Sequence, residues 1–331
     1  MSRRAFLTAL AALPIVAACR EKPMLGQERP AMDPKGLQKA MEPVAARAAP
    51  ALLGVAAEDL GTRQIWAFNG DQAFALGAAA RVPILAAVMA EREAGRLDPN
   101  ETIQARDVDL SPPPSAIADA WPGRAAYAVT ELEALARAGD NTALDLLTKR
   151  IGGPGAVNGW LGVKQLGGIS VDLYRRQAET QAVGLASFRA DWRGRTAWRR
   201  ALASVPAETR AAAARRRAAE PRDTTTPVGM VRLLEAFNTR EAFASADPRP
   251  LLGNDPGYLA AALPKDAKIW QAAGSARQDL GLTPESHAVA LIELKDGRRV
   301  ALAVFLSGST ADAATREALV AEAGRTVLKS F

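Results

Sequence analysis

Apolar and polar residues recur along this chain with two different periods, and the change of period marks out its parts. Ala51–Asp59 and Gln64–Phe68 read as strands joined at Leu60-Gly61-Thr62-Arg63, with Asn69-Gly70-Asp71 as the next turn. Gly36–Ala49, just before them, has helical spacing. A small-residue run from Phe74 leads through Val82-Pro83 into the apolar Ile84–Met89, the pattern of a loop entering a buried helix. Near the other end, Ala267–Ala276, Ala288–Leu294 and Val300–Leu306 are strand runs, and Lys295-Asp296-Gly297 makes a hairpin turn between the last two. Ala311–Phe331 mixes apolar and charged residues as a closing amphipathic helix does.

The middle of the chain is helical in pattern. Gly95–Asn100 ends one unit, and Ser111-Pro112-Pro113-Pro114 makes a stiff loop. Amphipathic Val129–Ala138 delivers Gly139-Asp140-Asn141 to a loop before Thr142–Lys149. Val228–Asn238 is a further helix pattern, and Asp247–Leu263 contains another. Strands at both ends with helices between them predict an α+β fold, in which an antiparallel sheet built from both chain ends is flanked by helices and a mainly helical lobe, about 78–227, is inserted.

The first residues change the picture of where this domain resides. Arg3-Arg4-Ala5-Phe6-Leu7, an apolar run to Ala18 and then Cys19 describe a secretory signal of the twin-arginine type over residues 1–18. The run is shorter than the roughly 20 residues a bilayer span needs. Val16-Ala17-Ala18-Cys19 resembles a bacterial lipobox, so cleavage before Cys19 and lipidation of its thiol are expected. Residues 19–37 then read as a tether, and 38–331 as the folded domain. The expected location is the periplasmic side of a bacterial membrane, anchored by lipid.

With 331 residues and 48% hydrophobic composition, the chain can bury one large core or two lobes sharing a cleft. Losing Arg3 and Arg4 takes two charges off the formal +6 and leaves +4, a mild excess suited to anionic lipid or cell-wall polymer; no nucleic-acid partner is expected. One cysteine and one histidine support neither a disulfide nor a structural zinc site. No phosphate-cradling glycine motif is present, and no cofactor or metal is expected.

The Phe74–Met89 stretch is followed at intervals by Gly139-Asp140-Asn141-Thr142-Ala143, by Ile151-Gly152-Gly153-Pro154, by Arg222-Asp223-Thr224-Thr225-Thr226-Pro227 and by Ala273-Gly274-Ser275. Together these resemble the class A β-lactamases and, more widely, the penicillin-recognising serine acyl transferases, from about Leu52 to the C-terminus. The resemblance implies a β-lactamase/transpeptidase-like fold, with a cleft where Ala78, Asn141 and Ala272-Ala273-Gly274 meet. The family's marks are S-x-x-K, S-D-N and K-T-G, with serine as nucleophile. In register, Ala78 takes the serine position, Arg81 the lysine position and Gly139 the serine of S-D-N, while Ala272-Ala273-Gly274 stands in place of K-T-G. A methyl group cannot attack a carbonyl, and arginine stays protonated near neutrality and cannot act as a base.

Other positions follow from the same resemblance. The family loop R-x-E-P-x-L-N, whose glutamate activates the deacylating water, matches Leu173–Glu179 best with Gln177 at the glutamate position; Glu179, two residues on, is the alternative. Asp223 is expected to pair with Arg175 or Arg176. Asp140 or Asn141 suits the cap of the following helix, and the resemblance also turns Asn141 toward the cleft. Asn141, Gly274, Ser275 and Arg277 are the candidate ligand-binding residues, with Arg277 or Arg81 able to supply the positive charge that the family places at the position of Ala272.

Three functional readings stand side by side. The first is a lipid-anchored pseudoenzyme that binds a β-lactam, a peptidoglycan-peptide-like ligand or an envelope protein. The second is a hydrolase of such compounds with a relocated nucleophile, Ser275 or Ser286 with His287. The third is a scaffold acting through Phe188–Ala219, a segment with Trp192, Trp198 and nine arginines against Asp191 and Glu208, which reads either as a solvated helical hairpin or as a recruiting surface that could be removed without loss of the fold.

Overall fold

The computed structural model describes residues 32–331 apart from 240, 241, 244–246 and 254–256. The signal segment 1–18, Cys19 and most of the expected tether lie outside the described residues. Asp33 caps the first helix, its Oδ1 accepting the Lys35 N–H at 3.1 Å, and Pro34 occupies the first turn, where a missing N–H costs nothing. Helix α1 therefore runs Pro34–Ala48, so the expected tether end at residue 37 falls inside it. It buries Leu37, Met41, Val44 and Ala48 along one stripe.

Strands β1 (Leu52–Asp59) and β2 (Gln64–Phe68) follow, then the two-residue β3 (Phe74–Ala75), a 3-10 turn Gly77–Ala80 and α2 (Arg81–Glu93). The inserted lobe holds β4 (Thr102–Gln104), α3 (Ala116–Ala120), β5 (Ala126–Ala128), α4 (Val129–Arg137), α5 (Asn141–Arg150), α6 (Pro154–Val163), β6 (Ile169–Ser170), α7 (Arg175–Gln181), α8 (Arg195–Ala203), α9 (Ala207–Ala218) and β7 (Thr224–Thr225). Helix α10 (Pro227–Thr239) returns the chain to the sheet, and β8 (Lys268–Ser275), β9 (Thr283–Glu293), β10 (Arg299–Ser309) and α11 (Ala313–Leu328) complete it.

The main sheet has the order β2-β1-β10-β9-β8 and is antiparallel throughout, so strands from both ends of the chain lie side by side. This is the expected α+β arrangement. Both faces are covered. Helices α1 and α11 close one over Val55, Ala57, Ile292, Val300 and Leu302; α2 and α10 close the other over Ala56, Val289, Ala303 and Phe305. That double cover is why these strands read as apolar runs and not as clean alternation. Gly54 is required where Phe74 crosses β1, since a Cβ there would stand 2.4 Å from the Phe74 ring, which itself stacks on Phe305 with centroids 5.6 Å apart. Gly54→Ala is expected to cost about 1–3 kcal/mol through overpacking; a urea midpoint unchanged from wild type would contradict this packing.

Two expectations need correction. Strand β9 begins at Thr283, not Ala288, because the polar Thr283–His287 stretch is paired to Ser309–Phe305 and buried. Asp247–Leu263 holds only the 3-10 turns Arg249–Leu251 and Gly257–Ala262 among its described residues, with Pro248 and Pro250 withholding backbone donors where a longer helix would need them.

Candidate active site

The cleft forms where the start of α2, the start of α5, helix α7 and the end of β8 converge. Its volume is about 240 Å3, and Ala78, Arg81, Gly139, Asn141, Gly274, Ser275, Arg175, Glu179 and Glu285 are among its lining residues. The entry to α2 is pinned from three sides. Leu76 N–H donates to Asp223 O at 2.8 Å, His287 Nε2 meets Ala75 O at 2.8 Å, and Gly77 lies so close to Glu285 that a Cβ would stand 2.7 Å from its Cγ. With φ at +49°, Gly77 also takes a backbone shape that other residues rarely adopt. Ala78 is thereby turned toward β8, where a Cβ on Gly274 would be 2.5 Å from its methyl carbon.

Three residues on, Arg81 crosses the cleft. Its Nη2 donates to Ala273 O at 3.3 Å, and its Nη1 is the nearest atom, 3.9 Å away, to where a side chain at Gly139 would begin. Burial lowers the Arg81 pKa from the usual guanidinium range, yet arginine starts so high that the group stays charged at neutral pH. On the opposite wall Asp140 is the cap of α5, accepting the Ala143 N–H at 2.9 Å and hydrogen bonds from Ser115 Oγ and the Ile117 N–H. Asn141, freed from capping, donates from Nδ2 to Pro112 O at 3.2 Å and lines the cleft.

Beneath the cleft is a layer of buried charge. Arg175 pairs with Asp223 at 3.2 Å, the expected partner, whereas Arg176 turns away to the carbonyls of Val108 and Phe188. Glu179 lies 3.8 Å from Arg175. Burial raises the Glu179 carboxyl above its ordinary range, opposed by Arg175 and Arg217. Arg217, from α9, reaches Glu285 at 3.3 Å and Asp223 at 3.8 Å. Burial by itself would lower its pKa, but Glu285, Asp223 and Glu179 together raise it. The N-terminus of α7 is fixed by Asp145, whose carboxylate accepts the N–H groups of Arg175 at 2.6 Å and Arg176 at 2.8 Å and the Ser111 hydroxyl at 2.6 Å.

Several expected site residues are elsewhere. Gln177 is exposed and folds back so that its Oε1 accepts the Tyr174 N–H at 3.1 Å; Glu179, two residues further along α7, is the side chain on the cleft. Arg277 is exposed beyond the cleft lining, and Ala272 is buried behind it. Ser275 and Ser286 hydrogen-bond to each other across β8 and β9, but His287 points to the opposite face, against Phe305 with centroids 4.6 Å apart. Burial pushes His287 down to about 4, and strand alternation keeps its ring from either serine, so no Ser-His pair forms. Glu285 and Arg217 went unrecognised in the sequence, where one sits in a polar Thr-Pro-Glu-Ser-His run and the other in an arginine triplet.

The comparisons agree with this fold. The model of the family described as "Beta-lactamase enzyme family" matches residues 36–331. The chain belongs to that family; its relatives are β-lactamases, and its fold neighbours include ancestral class A β-lactamases. It is 24% identical over 287 residues to a β-lactamase of Proteus vulgaris, covering 84% of this chain and 90% of that one. Over 139 residues it is 27% identical to β-lactamase PSE-4 of Pseudomonas aeruginosa, 42% of this chain and 47% of that one. A solved structure of an ancestral class A β-lactamase (GNCA) superposes with a TM-score of 0.69 at 25% identity, covering 89% of this chain and 100% of that chain. A β-lactamase from Chitinophaga pinensis shares the fold at 22% identity, with a TM-score of 0.68 over 88% and 97% of the two chains.

Proposed function

We propose that this chain is a non-hydrolysing member of the class A β-lactamase family, which keeps the cleft for reversible binding and has given up acyl transfer. The observation that carries the reading is the pair Ala78 and Arg81 at the mouth of α2. Acylation needs a nucleophilic oxygen beside a group able to take its proton, and here a methyl group stands beside a guanidinium that stays charged. Incubation with a reactive penicillin followed by intact-protein mass spectrometry tests it. No adduct is expected for the wild type, and cephalosporin turnover stays at background in Ala78→Ser as well, because Arg81 remains unable to act as the base. A drug-sized adduct mapping to the cleft overturns the reading.

The same reading puts the protein outside the cytoplasm, held to a membrane by lipid on Cys19, from the Val16-Ala17-Ala18-Cys19 pattern that follows the twin arginines. Cys19→Ser is expected to move the chain from the membrane fraction to the soluble fraction. Unchanged sedimentation with membranes would exclude the anchor.

A further inference from the structure

Arg81 is a guanidinium in a recessed site, and among the described residues it has no counter-charge. Of the five N–H groups an arginine carries, one reaches an acceptor, Ala273 O at 3.3 Å, and Nε is shut off from solvent with no acceptor among the described residues. Its pKa is shifted by burial alone, with no carboxylate acting on it. The acids lining the cleft are committed elsewhere, Glu179 to Arg175 and Glu285 to Arg217, and Asp223 beneath it pairs with Arg175. A half-buried charge left without a counter-charge is costly, and a buried donor without an acceptor calls for an explanation.

The surroundings of Arg81 point to what completes it. Gly139 contributes no side chain beside Nη1, and Ala78, which lines the same cleft, ends in a methyl group, so neither neighbour offers Arg81 an acceptor. A guanidinium fork matches a carboxylate in a two-point, charge-assisted pair. The cleft's 240 Å3 is small beside the roughly 300–1,000 Å3 of pockets that bury drug-sized ligands, which favours a small ligand.

We propose that the cleft is a receptor for a small carboxylate, paired with Arg81 at the position where an acylating enzyme needs a lysine. The proposal rests on the non-hydrolysing reading and adds the chemical class of the ligand. The guanidinium that rules out base catalysis is, on this account, the recognition group.

The probes are N-acetylalanine and its uncharged amide, N-acetylalaninamide, titrated calorimetrically into the full chain at low salt. The acid is expected to bind and to raise Tm, and the amide to do neither. Arg81→Gln, which keeps a donor for Ala273 O but no charge, should weaken the acid at least about tenfold, while Arg81→Lys retains part of the affinity. Without ligand, Arg81→Gln should melt at or above the wild-type temperature, because it removes an unpaired desolvated charge. A merely structural arginine would give a lower Tm. Equal binding of acid and amide, undiminished binding by Arg81→Gln, a lowered Tm in that variant, or no heat and no Tm rise with the wild type would each overturn the proposal. A penicillin adduct would overturn the non-hydrolysing reading and this inference with it, whereas a silent titration with no adduct would overturn this inference alone.

Discussion

Arg217→Ala is expected to destabilise the protein by about 3–5 kcal/mol, the usual cost of breaking a buried ion pair by removing one partner. Arg217 is buried, and its guanidinium lies against Glu285 and Asp223 under the cleft. Removing it leaves two buried carboxylates, Glu285 without a cation among the described residues and Asp223 with Arg175 alone. The urea midpoint at pH 7 checks this, and a loss below about 1 kcal/mol would mean that the network carries little of the stability. A double variant with Glu285→Gln should recover part of the loss, since the orphaned charge goes with it.

This network also corrects the idea that Phe188–Ala219 is a removable recruiting module. Phe188 is buried and its ring meets Trp198 and Trp192 at 5.7 and 6.3 Å, while Arg210 pairs with Asp279 at 3.0 Å. The segment supplies both an aromatic plug for the helical lobe and the cation beneath the site. Its deletion would remove both, uncovering the lobe surface beneath the plug and leaving Glu285 without a cation among the described residues, so the shortened chain should not fold.

The second large effect is a dependence of stability on pH that centres on Glu58. This glutamate is buried on β1 facing α10, where Glu235 pairs with Arg63 and with Arg232, the latter at 2.8 Å, and Arg232 is 3.6 Å from Glu58. Burial pushes the Glu58 carboxyl up to about 8, and Glu235 adds to the shift, while Arg232 and Arg63 oppose it. Neither Glu58 oxygen has a hydrogen-bond donor among the described residues, so burial beside Glu235 favours the protonated carboxyl.

The folded pKa lies above the ordinary 4.5, so the folded chain holds this proton more tightly than the unfolded one. Its contribution is complete below about pH 4.5 and is lost as pH rises through about 8. Each unit of displacement is worth ~1.4 kcal/mol, so a decline of a few kcal/mol across that window is expected. Glu58→Gln should flatten the decline by giving Glu235 a permanent donor. Parallel pH profiles of wild type and Glu58→Gln in denaturant titrations would rule this out.

Much of the scaffold was legible from the chain alone. Runs such as Ala51–Asp59 and Val300–Leu306 announce strands because both faces of the sheet are covered, and Asp140 announces a helix start because its carboxylate satisfies free N–H groups. The Arg175 and Asp223 pair was legible through the family pattern. Thr283–His287 was not, because a polar run reads as a turn until Arg217, 68 residues away from Glu285, arrives to neutralise it. Gln177 and Glu179 differ by two positions on a short helix, and only the placement of α7 by Asp145 decides which of them faces the cleft.

The sequence by itself determined which atoms are present at the mouth of α2: a methyl group at Ala78 and a permanent cation at Arg81, because side-chain chemistry does not depend on the fold. The tertiary structure alone decided that this cation lies in a small cleft with no counter-charge among the described residues, while its neighbours Arg175 and Arg217 are neutralised. Pairing is a matter of distance between residues remote in the chain, and burial sets how strongly each unmatched charge is felt.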